Sequence, residues 1–214
     1  MAEQQQYPAQ PAVDDALARL AAALPGGGGE HRPQQVQMAR AVAAAIDGHR
    51  HLVVQAGTGT GKSWGYLAPL VLAGTTTVVA TATKALQDQL ATKDLPYLQQ
   101  HLGVPFEWAV LKGRSNYICM QRVREVQDKD NGQLELAELA ATTKAEVRRL
   151  VGWAGSTDSG DQATLSWAPS DKAWQAVSVG SDECPGANRC PMGKVCFAEL
   201  ARQRAQAADV IVVN

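Results

Sequence analysis

The alternation of apolar and polar positions divides the chain into a short list of elements. Residues 1–12 are rich in Gln, Pro and Ala without periodicity, and this predicts disorder. Val13, Leu17, Leu20 and Leu24 recur at helical spacing and predict a helix over 14–24, closed by the flexible break Pro25-Gly26-Gly27-Gly28-Gly29. A second helix is expected over 33–46, with Pro33 in its first turn. Residues 51–56 read as a buried strand, followed by a glycine-rich loop and a helix over 62–72. Residues 76–82, rich in β-branched side chains, read as a strand. A helix interrupted by Pro96 follows over 84–102, and strands are expected at 107–111 and 209–213.

Strands alternating with helices predict a parallel sheet covered on both faces, an α/β architecture. Residues 112–204 break that rhythm. They hold all four cysteines, a Gly/Ser/Thr/Asp loop over 152–162 and two Trp-bearing segments, which suggests an insertion into the sheet domain. The expected organisation is an N-terminal extension and linker (1–29), a first sheet segment (30–111), the insertion (112–204) and a return strand (205–214).

Composition changes this picture little. The apolar share of 45% is ordinary for a packed core, and the formal net charge of −1 gives no hint of a polyanionic partner. Local charge is uneven. Residues 112–124 carry four basic and no acidic residues; 125–183 carry five basic and eleven acidic, a net of −6; 184–204 carry four basic and one acidic, a net of +3. Such clustering is also what a solvated surface produces. No stretch approaches the roughly 18 uninterrupted apolar residues of a membrane span, and no signal-peptide layout opens the chain, so a cytoplasmic protein with no membrane partner is expected. In that compartment four cysteines point to a metal before disulfides.

The strongest chemical signal is Ala56-Gly57-Thr58-Gly59-Thr60-Gly61-Lys62-Ser63, between an expected strand and an expected helix. There, backbone N–H groups and a helix N-terminus converge on phosphate oxygens, Lys62 reaches the β/γ-phosphates and Ser63 holds Mg²⁺. Ala56 stands where the strict pattern has glycine. The cysteines are less decisive. Cys119 stands alone, while Cys184, Cys190 and Cys196 are separated by five residues each. Structural zinc sites use closer pairs, and the wide intervals suit a bulkier iron–sulfur cluster, with a Cys₄ zinc site and plain thiols as alternatives. Trp153, Trp167 and Trp174 read as packing residues of the insertion.

Further patterns fall in a recognisable order. Arg32-Pro33-Gln34-Gln35-Val36-Gln37-Met38 resembles the Q-motif of superfamily 2 helicases, and residues 81–90 (Thr-Ala-Thr-Lys-Ala-Leu-Gln-Asp-Gln-Leu) resemble their motif Ia. The run from Lys112 to Cys119 and the three later cysteines follow. Residues 208–214 are similar to the strand that leads into the Asp-Glu-Ala-His box. From about residue 30 onward the chain therefore resembles the iron–sulfur branch of superfamily 2 DNA helicases that contains XPD and the bacterial DinG-type enzymes.

The resemblance implies a RecA-like P-loop NTPase sheet with an inserted, mostly helical domain holding a [4Fe–4S] cluster, and a motor core that is incomplete. It implies that Gln35, with Arg32 nearby, reads the adenine of ATP, and that Gly57, Thr58, Gly59, Thr60, Gly61 and Lys62 cradle phosphates. Ser63 would ligate Mg²⁺, and Cys119, Cys184, Cys190 and Cys196 would ligate the cluster. Thr81 and Thr83 would lie near the DNA backbone, and Lys112, Arg114, Tyr117, Arg189 and Lys194 are weaker candidates for contacting DNA. The implied activity is ATP-driven translocation on single-stranded DNA and unwinding of forked DNA with 5′→3′ polarity, in repair or replication, by a monomer. The Asp-Glu pair and second motor domain are expected beyond Asn214, so the 214 residues alone are expected to be catalytically inactive. The alternatives are a P-loop ATPase with a structural Cys₄ zinc module and no unwinding activity, and a non-enzymatic nucleic-acid-binding protein.

Overall fold

The computed structural model describes residues 10–26, 32–130 and 140–214. The disorder expected over residues 1–9 and the glycine break at 27–29 lie outside the described residues. The chain divides into two compact units, one running up to Val110 and resuming at Ala207–Asn214, the other spanning Leu111–Gln206. The architecture is mostly helical with a small open parallel sheet.

In the first unit, helix α1 (Gln10–Ala22) begins earlier than the apolar pattern predicts and takes in residues 10–12, which had read as disordered. Its apolar stripe of Val13, Ala16, Leu17 and Leu20 is buried in the core. Each such leucine removed from water contributes about 1.5–3 kcal/mol. The far end of α1 is tied down by two long-range bonds: Arg19 Nη2 donates to the Leu102 carbonyl at 3.0 Å, and the Tyr97 hydroxyl donates to the Leu20 carbonyl at 2.8 Å. Helix α2 (Pro33–Asp47) starts on Pro33, whose missing N–H is one the first turn leaves unpaired in any case. Helix α3 is Lys62–Leu72, and strand β1 is Thr77–Ala80.

Helix α4 (Lys84–Gln89) is capped by Thr83, whose hydroxyl accepts from Leu86 N. The break expected at Pro96 is absent. A π-helical turn (Leu90–Asp94) joins α4 to α5 (Leu95–His101), and Leu95 N–H closes it on the Leu90 carbonyl. Proline then falls in the first turn of α5, a position a helix tolerates. The interruption is absorbed as a wider turn.

The sheet has the order β1-β3-β2, with β2 at Trp108–Leu111 and β3 at Val210–Val213. β1 and β3 are parallel, from Thr77 opposite Val210 to Ala80 opposite Val213. β3 buries Val210 and Val212 among the helices. The strand expected over 51–56 does not form. These residues carry no strand pairing among the described residues, and Val53 is 96% exposed. A strand exists only through a neighbour's backbone, and the three-stranded sheet offers this segment none, so its apolar character goes unused.

The second unit is built on helices α6 (Met120–Asp130), α7 (Ala141–Ala154), α8 (Asp171–Val177) and α9 (Phe197–Ala207). Ile118, Val123, Val147, Leu150, Trp174 and Val177 form its core. Two isolated antiparallel bridges, Tyr117 with Asp161 and Ile118 with Ser178, lace the entry of the unit to its later segments. Among the described residues no helix is long and apolar enough to cross a membrane.

Candidate functional site

The glycine loop and the start of α3 form the most chemically pointed region of the first unit. Gly59 and Gly61 both have positive φ, 76° and 77°, so the loop turns sharply into the helix with Gly61 as its N-cap. A Cβ on Gly61 would lie 2.2 Å from Gln35 Nε2, so a larger residue there would, besides straining the backbone, displace the Gln35 side chain. The approach of α2 to the loop is made by hydrogen bonds. Gln35 Nε2 donates to the Gly61 carbonyl at 2.9 Å, and Arg32 Nη1 donates to the Gly59 carbonyl at 3.3 Å. The Lys62 ammonium folds back to donate to the Ala56 and Gly57 carbonyls, and Thr60 Oγ1 donates to the Gly57 carbonyl at 3.0 Å. The structure therefore brings Arg32, Gln35, Lys62 and Ser63 together around one loop.

These residues line a cavity of about 530 Å³, a size suited to a mononucleotide. Thr58, Gly59, Gly61, Lys62 and Ser63 form its loop wall, and Arg32 and Gln35 form a polar side. The remaining walls come from residues that sequence reasoning missed. Ala21 and Leu24 arrive from the α1 end, Trp64 from α3, and Leu86, Gln89 and Asp94 from α4 and the π turn. Trp64 is held in place by parallel stacking on Tyr97, with centroids 5.0 Å apart and planes 2° apart. Burial first, then the charge of Asp94, push the Tyr66 hydroxyl above its ordinary pKa, and a hydrogen bond with Ser63 pulls it back. The helical period on α1 was visible in the sequence. Nothing in it signalled that the helix would end against this cavity.

The motif Ia threonines are engaged in structure. Thr81 is buried, and its hydroxyl donates to the Val213 carbonyl at 3.0 Å. Asn214 Nδ2 in turn donates to the Thr81 carbonyl at 2.9 Å. Thr83 is exposed and serves as the α4 cap described above.

In the second unit, three of the residues expected to touch DNA have partners within the chain. Lys112 Nζ pairs with Asp161 Oδ2 at 2.6 Å, with the two side chains 15% and 16% exposed. Arg114 Nη2 pairs with Glu199 Oε2 at 3.4 Å. Tyr117 is 5% exposed and its hydroxyl accepts from Lys112 N, so it offers no face for a base to stack on. Asp161 belongs to the acidic middle of the unit, whereas Glu199 is the one acidic residue of its basic last stretch. Arg189 and Lys194 remain exposed, on the loop that bears the later cysteines.

All four cysteines are free thiols and half-buried. Cys119 precedes α6, and its sulfur accepts the backbone N–H groups of Arg122 and Gln121, although burial dominates and raises its pKa. Cys190 and Cys196 act on it in the same direction, as lesser causes. Between Cys190 and Cys196 the chain folds so tightly that a Cβ on Gly193 would lie 2.0 Å from the Ala187 carbonyl oxygen. Among the described residues, no group of three or more His, Cys, Asp or Glu side chains converges as a single metal ion requires. Trp174 and Trp153 pack as expected, with centroids 6.4 Å apart, and Arg149 lies 4.2 Å over the ring of Trp167.

Comparison with known proteins bears on this arrangement directly. The family described as DEAD/DEAH box helicase matches residues 33–150, more than half of the chain. The chain belongs to the DEAD/DEAH box helicase family. The match takes in Gln35, the glycine loop, motif Ia and Cys119, and stops before the other three cysteines. The chain is 44% identical over 217 residues to the ATP-dependent helicase DinG of Mycobacterium tuberculosis, covering 94% of this chain and 32% of that protein. It is 44% identical over 197 residues to the ATP-dependent DNA helicase YoaA of Escherichia coli, covering 92% and 30%. It is 31% identical over 192 residues to the 3'-5' exonuclease DinG of Bacillus subtilis, covering 87% and 20%. The chain thus spans about a third or less of the length of these relatives. Among DEAD/DEAH box helicases it is similar to DinG and YoaA proteins.

Proposed function

We propose that this chain is the nucleotide-binding part of an ATP-dependent DNA helicase that couples ATP hydrolysis to movement along single-stranded DNA and unwinding of forked duplex. The observation that carries the reading is the glycine loop opening α3 on one wall of a nucleotide-sized cavity, with Lys62, Ser63, Arg32 and Gln35 around it. Backbone N–H groups of the loop and the N-terminal end of α3 bind phosphate oxygens. Lys62 exchanges its two carbonyl partners for the β- and γ-phosphates, and Gln35 turns from the Gly61 carbonyl to the base edge. Ser63 supplies a ligand for Mg²⁺, which neutralises phosphate charge when bound. The 5′→3′ polarity rests on the family resemblance.

The second unit is read as the carrier of a [4Fe–4S] cluster ligated by Cys119, Cys184, Cys190 and Cys196. The donor set fits. There are four free, half-buried thiols, one of them receiving backbone N–H bonds of the kind that tune cluster sulfurs. Lys112, Arg114, Tyr117, Arg189 and Lys194 are the candidates for contact with DNA, and of these Arg189 and Lys194 stand exposed on the loop of the later cysteines.

Binding of a fluorescent ATP analogue with Mg²⁺ tests the nucleotide reading. The chain should bind it, and Lys62→Ala should weaken binding by about tenfold or more, from loss of one charge-assisted contact. Binding unaffected by Lys62→Ala would favour a non-enzymatic nucleic-acid-binding protein. Iron and acid-labile sulfide on anaerobically purified protein test the cluster; stoichiometric zinc without sulfide would establish the zinc-module alternative.

A further inference from the structure

The cavity wall opposite the glycine loop holds a pair of polar side chains that the nucleotide reading leaves without a task. Gln89 and Asp94 both line it. Five residues apart, they would point about 140° away from each other on a regular α-helix. The π turn over Leu90–Asp94 replaces that geometry with an i→i+5 repeat, which brings them nearly into line. Gln89 Nε2 donates to Asp94 Oδ2 at 3.0 Å. That bond fixes the carboxylate while leaving Oδ1 and one lone pair of Oδ2 available. Single π turns of this kind recur at functional positions because they redirect side chains at a cost in helix regularity.

A carboxylate in a cavity built for a triphosphate is unfavourable unless it meets hydrogen-bond donors. Of the apolar residues that share this lining, Leu86 and Leu24 have no donor to offer, and the printed partner of Asp94 is Gln89. A nucleotide carries two kinds of donor away from its phosphates, the ribose hydroxyls and the exocyclic amine of the base. Gln35, on the polar side of the cavity, is positioned for the base. The neighbouring 2′ and 3′ hydroxyls match the two acceptor oxygens of one carboxylate, the pairing by which acidic side chains recognise ribose elsewhere.

We propose that Asp94, held by Gln89 through the π turn, accepts hydrogen bonds from the ribose hydroxyls and makes this site select ribonucleotides over 2′-deoxyribonucleotides. The proposal rests on the nucleotide-site reading above. It identifies the sugar-reading residue of that site.

The test is titration of the chain with ATP and with dATP, both with Mg²⁺, for the wild type and for Asp94→Ala. The wild type should bind ATP about tenfold more tightly than dATP, the worth of one hydrogen bond to a charged group. Asp94→Ala should abolish the preference, weakening ATP, which loses two contacts, more than dATP, which loses only the one at its 3′ hydroxyl; residual binding of both nucleotides at equal affinity also shows that the variant is folded. Should Asp94→Ala not fold, Asp94→Asn, with one acceptor retained, should show a smaller preference for ATP than the wild type. Equal binding of both nucleotides by the wild type overturns the proposal and leaves the nucleotide site standing. Equal weakening of both by Asp94→Ala assigns the residue to the metal or the fold, and overturns it as well. Failure of either nucleotide to bind removes the site reading and the proposal together.

Discussion

Gly61 shows how much one position can be asked to do. It caps α3 in the left-handed region, and a Cβ there would sit 2.2 Å from Gln35 Nε2. Gly61→Ala should lower nucleotide affinity by at least about tenfold in a titration, because strain of about 1–2 kcal/mol adds to displacement of Gln35. The loop was legible because its chemistry is encoded locally, in glycines that license one backbone path. Lys112 is the opposite case. Its charge was legible and its partner was not, since Asp161 lies 49 positions away and nothing local links them. Lys112→Ala should leave Asp161 a half-buried carboxylate without its cation, costing about 1–3 kcal/mol in chemical denaturation of the second unit.

At the scale of elements, helices with a clear apolar stripe were readable and segments needing a distant neighbour were not. Helices α2 and α3 carry their own signals, a first-turn proline and a glycine N-cap. Residues 51–56 have the composition of a strand, but composition cannot say whether a paired backbone will be present. The π turn was invisible for a related reason. Pro96 announces a disturbance, and whether the chain breaks or widens depends on packing of Leu90, Leu95 and Leu98 in the core. Helix α1 joins stability to ligand binding. Leu20→Ala should cost about 2–5 kcal/mol in thermal or urea unfolding. It should also weaken ATP binding in the surviving folded protein, because the same helix end carries Ala21 and Leu24 to the cavity. A stability loss with unchanged affinity would show that the α1 wall is dispensable to the nucleotide.

For the whole molecule, the buried phenols set an alkaline limit. Burial raises the pKa of Tyr66 and, above all other causes, that of Tyr117 over the ordinary 10.0. An unfolded chain therefore loses these protons first. The stabilising contribution is complete below about pH 10 and is lost as pH rises through the folded values. Urea midpoints should accordingly hold level with respect to these groups up to about pH 9 and fall above 10. Tyr117→Phe should blunt the fall, and an unaltered slope would show that Tyr117 does not contribute to it.

The segment around Val53 has a practical consequence of another kind. Leu52, Val53 and Val54 are three consecutive apolar residues, exposed by 42%, 96% and 41%, on backbone without strand pairing among the described residues. An extended apolar run of this sort is a template on which another chain can lay down its own backbone. Concentrated solutions of these 214 residues should therefore turn turbid or sediment as aggregates. Val53→Lys, which sets a charge in the middle of the run, should keep them clear, and light scattering against concentration would show the difference.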